Sequence, residues 1–100
     1  MAARQPKKPT WNAELRELRW GKQLVKKFNG PATNQELICA VFEEDKWAPR
    51  IDDPLPGGLT RRKRHDRLRD VIRRLNGHQM ETHIHFCPDG RGEGVRWEKV

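Results

Sequence analysis

The chain carries only two cysteines, Cys39 and Cys87, in 100 residues. That is too few for a disulfide framework and suits a reducing compartment. No apolar run approaches the ~18 residues of a membrane-crossing helix. The N-terminal stretch MAARQPKKPT has no apolar segment of signal-peptide length. These absences predict a cytoplasmic protein with no membrane partner. Apolar residues are also scarce, 34% of the chain against 35% charged. Such a core is near the lower limit for independent folding, so one small domain of two or three layers is expected. No internal repeat is visible.

What the chain does have is positive charge, +7 overall with a pI near 10.0. A balance of that sign favours polyanionic partners, nucleic acid first. The charge is also blocky. Residues 1–30 hold eight Lys and Arg against two Asp and Glu, and residues 57–80 hold the same. Residues 31–56 reverse it, two against six, and residues 81–100 hold three against four. Basic runs on small domains are often plain solvated surface. Here, however, six of the eight residues from Arg61 to Leu68 are Arg, Lys or His.

Residues 1–9 are polar, basic and proline-bearing and read as a flexible arm; residues 10–100 form the domain. In TWNAELRELRWGKQLVKKF, Trp11, Leu15, Leu18, Trp20, Leu24, Val25 and Phe28 fit no helical stripe. A short strand at Trp11 and a hairpin turning at Trp20-Gly21-Lys22 fit better. The competing reading is a helix from Ala13 to Trp20. Thr33 is placed to cap a helix, with Glu36 completing a capping box. Leu37, Ile38, Val41 and Phe42 give that helix one apolar face, and Pro49 stops it near Trp47. APRIDDPLPGGLT, residues 48–60, is too rich in Pro and Gly for a long element, although Ile51 and Leu55 are suited to pin it to the core. Thr60 is a candidate cap for the clearest element, a helix over 61–76 with the stripe Leu68, Val71, Ile72 and Leu75. Asn76-Gly77 ends it. Ile84 and Phe86, then Val95 and Trp97, alternate with polar residues around the glycine-rich PDGRGEG, which predicts a hairpin. The expected class is α+β: N-terminal β-strands, two main helices and a C-terminal β-hairpin.

Taking Leu68, Val71, Ile72 and Leu75 as buried, the opposite face of the 61–76 helix carries Arg62, Lys63, Asp66, Arg69, Asp70 and Arg73. Arg67 and Arg74 lie on its flank. A DNA major groove admits one such helix, with arginine able to grip guanine edges and both cations able to bind phosphate. The bland alternative is a solvated face laced by Asp–Arg pairs. Arg91, between Gly90 and Gly92, is at the tip of the C-terminal hairpin, where a basic residue can reach phosphates.

The order of these elements resembles the winged-helix effector domain of OmpR/PhoB-type response regulators, a bacterial family. Gly92-Glu93-Gly94-Val95-Arg96-Trp97 is similar to that family's Gly-x-Gly-aromatic last strand, with the aromatic displaced to Trp97. Val71-Ile72-Arg73-Arg74-Leu75 is similar to its Ile-x-x-Leu-Arg pattern in the third helix. Trp11 to Phe28, with Gly21 at the turn, resembles the strands leading into its first helix. The likeness spans about residues 10–98 and is one of pattern. It departs where the family has a second helix, which residues 48–60 leave absent or reduced to a turn. No receiver domain accompanies the module in this sequence, so phosphorylation control is not implied. The resemblance implies a winged-helix transcription regulator that binds double-stranded DNA through the 61–76 helix and the 88–94 wing. By position it puts base and phosphate contacts on Arg62, Lys63, Arg69 and Arg73, and wing contacts on Arg91 and Arg96. With the neighbouring cations the expected DNA-binding set is Arg61, Arg62, Lys63, Arg67, Arg69, Arg73, Arg74, Arg91 and Arg96.

Other chemistries are weaker. His83, His85 and Cys87, with His78 nearby, are residue types that zinc accepts. Their spacing is His-x-His-x-Cys, a fourth ligand would have to be Cys39 or His65, and one hairpin face must be polar in any case. His65-Asp66 and the acidic Glu43, Glu44, Asp45, Asp52 and Asp53 have no spacing that marks a magnesium nuclease. No cofactor, metal or enzymatic activity is expected. The alternative function is a protein-interaction module that binds a basic protein partner through the acidic 31–56 segment.

Overall fold

The computed structural model describes residues 8–80 and 83–100. Most of the arm expected over residues 1–9 lies outside the described residues. Pro9 already belongs to the first strand and is buried.

Three antiparallel strands open the domain: β1 (Pro9–Asn12), β2 (Glu17–Trp20) and β3 (Gln23–Lys27). The helix considered over Ala13 to Trp20 does not form. Asn12 accepts the amide of Leu15 through its side chain at 2.9 Å, and Arg16 takes a left-handed φ of 55°. Together they turn the chain back into β2. Gly21, at φ 60°, turns it again into β3. Trp11, Leu18, Trp20 and Val25 form the buried face of this sheet.

Helix α1 (Thr33–Glu44) follows. The expected capping box is absent. Ala32 occupies the cap position without a side-chain bond, and Glu36 pairs with Arg16 at 2.9 Å. The buried face is Ile38, Cys39 and Phe42, turned slightly from the expected one, with Leu37 and Val41 half-buried. The helix ends at Glu44, short of Trp47, because Lys46 and Trp47 adopt left-handed φ values of 55° and 57°. That turn folds Trp47 beneath Phe42, their rings stacked at 5.0 Å, and brings its edge against Trp97.

Arg50–Asp52 forms a short strand, β4, where irregular chain was expected. Ile51 and Leu55 are buried as anticipated, and no helix lies between β4 and α2 (Arg61–Asn76). Thr60 caps α2, its hydroxyl accepting the Lys63 amide at 3.3 Å. Leu68, Val71, Ile72 and Leu75 are its buried residues, as the stripe requires. Gly77 closes the helix, but in extended conformation with φ −78°; the left-handed residue is His78, at 55°. Strands β5 (Ile84–Pro88) and β6 (Gly94–Lys99) make the C-terminal hairpin, and β4 adds to its β6 edge in the order β4-β6-β5. Asn76 holds β5 from the other side, bonding both the amide and the carbonyl of Phe86. The fold is thus a small α+β domain of two helices and two antiparallel sheets.

One buried cation joins its halves. Lys26 on β3 is 6% exposed. Its amine donates to the carbonyls of Arg74, Leu75 and Gly77 at the end of α2, and to Gln35 on α1. The last carbonyls of a helix lack intrahelical partners and carry partial negative charge. Burial draws the Lys26 pKa below the ordinary lysine value, with Cys39 nearby acting in the other direction. Replacing Lys26 with Met strands those carbonyls and is expected to cost about 1.5–3 kcal/mol. Lys27→Met removes one of two partners of the buried Glu17, which keeps Arg19, and should cost less. Urea unfolding of the two variants measures the difference, and equal losses would remove Lys26 from this role.

Candidate nucleic-acid interface

Helix α2 packs its apolar stripe against β5 and α1, which turns its basic side outward. Arg62, Lys63 and Arg69 are exposed and make no ion pair among the described residues. Arg73 and Arg74 share the Asp70 carboxylate. The hydrogen bond from Arg73, then the charge of the two arginines, lowers the Asp70 pKa against the opposing effect of burial. Arg61 reaches Glu93 on the hairpin loop at 3.5 Å.

Two expected contacts are placed differently from the rest. Arg67 turns back to the β4–α2 connection, donating to the Pro56 carbonyl at 2.6 Å, with its Nε buried and unpartnered. Its first task is therefore to hold that connection. Arg96 alternates with the inward Val95 and pairs in register with Arg50 and Cys87. It lies on the outer face of the sheet, away from α2. Arg64 was not singled out in the sequence, yet it is exposed on the first turn of α2. The run Arg61-Arg62-Lys63-Arg64 was its only signal.

The hairpin loop is built to a fixed shape. Asp89, whose side chain is 4% exposed, accepts the Arg91 amide at 2.8 Å and the Glu93 amide at 3.3 Å. Its other oxygen takes the Arg50 guanidinium at 3.0 Å. Burial, the largest single influence, opposes ionisation of Asp89. The Arg91 amide, the Arg50 guanidinium and the Glu93 amide outweigh it and bring the pKa down to about 2. Gly92 has a φ of 72°, and a methyl group there would lie 2.7 Å from the His65 ring. The loop therefore rests on α2. Arg91 and Arg69 line one cleft of about 260 Å³ between helix and loop, which has no acidic residue in its wall.

Half of the acidic segment's carboxylates are engaged inside the fold. Glu36 pairs with Arg16. Glu43 accepts the Trp11 amide and the Trp47 indole. Asp52 pairs with Arg50, and Asp53 accepts the Leu55 amide. Glu44 and Asp45 are left on the surface, and the Asp52 side chain is itself 89% exposed. Among the described residues no group of three or more His, Cys, Asp or Glu could hold a metal ion, and no helix is long and apolar enough to cross a membrane. Comparison of the chain with protein-family models, with curated proteins and with solved structures finds no match.

Gly92→Ala is expected to cost about 1–2 kcal/mol from its left-handed backbone alone, plus the displacement of His65. His65→Ala in the same chain should recover the second part and leave the first. A double-mutant cycle in urea isolates that coupling. Zero coupling would show that the loop does not rest on His65.

Proposed function

We propose that this protein binds double-stranded DNA as a winged-helix-like transcription regulator, with the outward side of α2 in the major groove and the β5–β6 loop as a wing. The observation that carries this reading is a set of exposed cations that have no ion-pair partner among the described residues. Arg62, Lys63 and Arg69 stand on one side of a helix whose other side is core, and Arg91 faces Arg69 across an acid-free cleft. A surface laced by Asp–Arg pairs would have left few cations unengaged. The element order supports the resemblance noted above: an N-terminal sheet, a helix, a long basic helix and a hairpin held beside it. Pairing of β4 with β6 and of Asn76 with β5 fixes that hairpin against α2. Arg73 adds to the helix face, Arg74 to its flank and Arg61 to the edge near the loop. Arg67 and Arg96 are secondary, given their positions. With Glu36, Glu43 and Asp53 engaged within the domain, residues 31–56 give less support to a protein-binding role.

Each phosphate neutralised adds about −0.9 to the slope of log affinity against log salt. The wild-type chain should bind a short duplex steeply less well as salt rises. Arg62→Gln with Arg69→Gln should weaken binding and flatten the slope by about 1.8. Both residues are exposed, so the melting curve should not move. Unchanged affinity and slope, read by fluorescence anisotropy, would overturn the assignment of α2. Selection from a random duplex pool then separates sequence reading, which enriches a motif, from architectural binding, which does not.

A further inference from the structure

Resting on that reading, we infer that the groove between the β3–α1 loop and the end of α2 is a second phosphate-binding cleft, which grips the DNA strand opposite the one held at the wing. This groove, of about 530 Å³, is lined by Lys26, Lys27, Arg73, Arg74 and His78. No Asp or Glu among the described residues contributes to its wall. The cleft at the start of α2 differs: there Asp52, Asp53 and Glu93 stand among Arg61 and Arg64. Among the described residues, two basic clefts without an acidic lining residue thus border α2, one at Arg69 and Arg91 and one here.

Their positions about α2 give them a common use. Arg69 and Arg74 are five residues apart in sequence, which separates them by about 140° around the helix axis. They stand on opposite flanks of the exposed side, with Arg62, Asp66 and Arg73 between them. A helix seated in a major groove about 12 Å wide has a phosphate strand on each flank. One basic cleft faces each strand.

The end of a helix should repel phosphate, because its free carbonyls carry partial negative charge. Here Lys26 covers those carbonyls with its buried amine, which changes the sign of the floor of the groove. The start of α1, at Ala32, borders the same groove and adds partial positive charge. Arg73 and Arg74 share one carboxylate, Asp70, and so retain a net positive charge. Lys27 leans on Glu17 at 3.2 Å, a pair exposed on the lysine side. Arg19 also holds Glu17, at 2.9 Å, so Lys27 can turn to a phosphate without leaving that buried carboxylate unpaired.

The test is ethylation interference on a bound duplex, run with the double variants Lys27→Gln/Arg74→Gln and Arg69→Gln/Arg91→Gln. The wild-type chain is expected to show interfering phosphates in two clusters, one on each strand. Lys27→Gln/Arg74→Gln should lose one cluster and flatten the salt slope by about 1.8. Arg69→Gln/Arg91→Gln should lose the other. Lys27→Arg/Arg74→Lys should keep both, which separates loss of charge from loss of fold. A single cluster in the wild type, or two clusters that survive Lys27→Gln/Arg74→Gln, overturns this inference and leaves the DNA reading standing. Absence of salt-dependent duplex binding by the wild type overturns both.

Discussion

The structure depends on one buried ammonium group. Lys26 leaves the N-terminal sheet and ends among the last carbonyls of α2, with Gln35 of α1 as a further acceptor. Three elements distant in sequence thereby meet at one atom. A charge out of water is tolerated only when its hydrogen bonds are satisfied. Here the acceptors are groups that would themselves have lacked partners. The arrangement is directional in a way that apolar packing is not, because the amine fits only one end of α2. It fixes which end of the basic helix meets β3, while the apolar stripe sets which face looks out.

The hairpin is fixed at the opposite flank by different means. Asn76 extends the hydrogen bonding of β5 into the helix, while Asp89 gathers the amides of its own loop and a guanidinium from β4. Gly92 lets the loop lie on His65 at a distance no side chain would allow. Both flanks of α2 are thus set by polar contacts, and its back is set by Leu68, Val71, Ile72 and Leu75. Rigid placement of this kind lets a few exposed arginines act together and not as separate mobile charges.

Much of this was legible in the sequence where local pattern governs. The spacing of Leu68, Val71, Ile72 and Leu75 requires α2, and Thr60 marks its start. The alternation of Ile84, Phe86, Val95 and Trp97 requires the hairpin. Other features depend on partners far along the chain and leave no local mark. Glu36 has the spacing of a capping box, yet Arg16, twenty residues away, takes its carboxylate. Trp47 reads as the end of a helix, but the aromatic cluster of Phe42, Phe86 and Trp97 draws it into a left-handed turn. Ile51 is flanked by prolines and acids, and only the open edge of β6 makes it a strand. Lys26 sits beside Lys27 and looks no different from it. Among the cations of α2, the sequence could not separate Arg67, which bonds a loop carbonyl, from Arg62 and Arg69, which bond nothing in the described structure.

The start of α2 bears on why those cations are there. Its first turn holds four consecutive cations and no acid, at the end of the helix where partial charge is already positive. Each such residue is unfavourable by about 0.3–1 kcal/mol at low salt, and the four repel one another. Among the described residues the fold sets against this the Thr60 cap, the long pair between Arg61 and Glu93, and Asp52 and Asp53, which share a cleft with Arg61 and Arg64. A helix selected for stability alone would place Asp or Glu there. Acids are not lacking in the chain; Glu17, Glu36, Asp52 and Asp89 instead neutralise the cations of the strands and turns, Arg19, Lys27, Arg16 and Arg50. The positive charge on α2 is therefore a local cost kept by the way the acids are distributed. A polyanion laid along the helix relieves it, and residues that destabilise a fold yet line one exposed side are where binding is expected to lie.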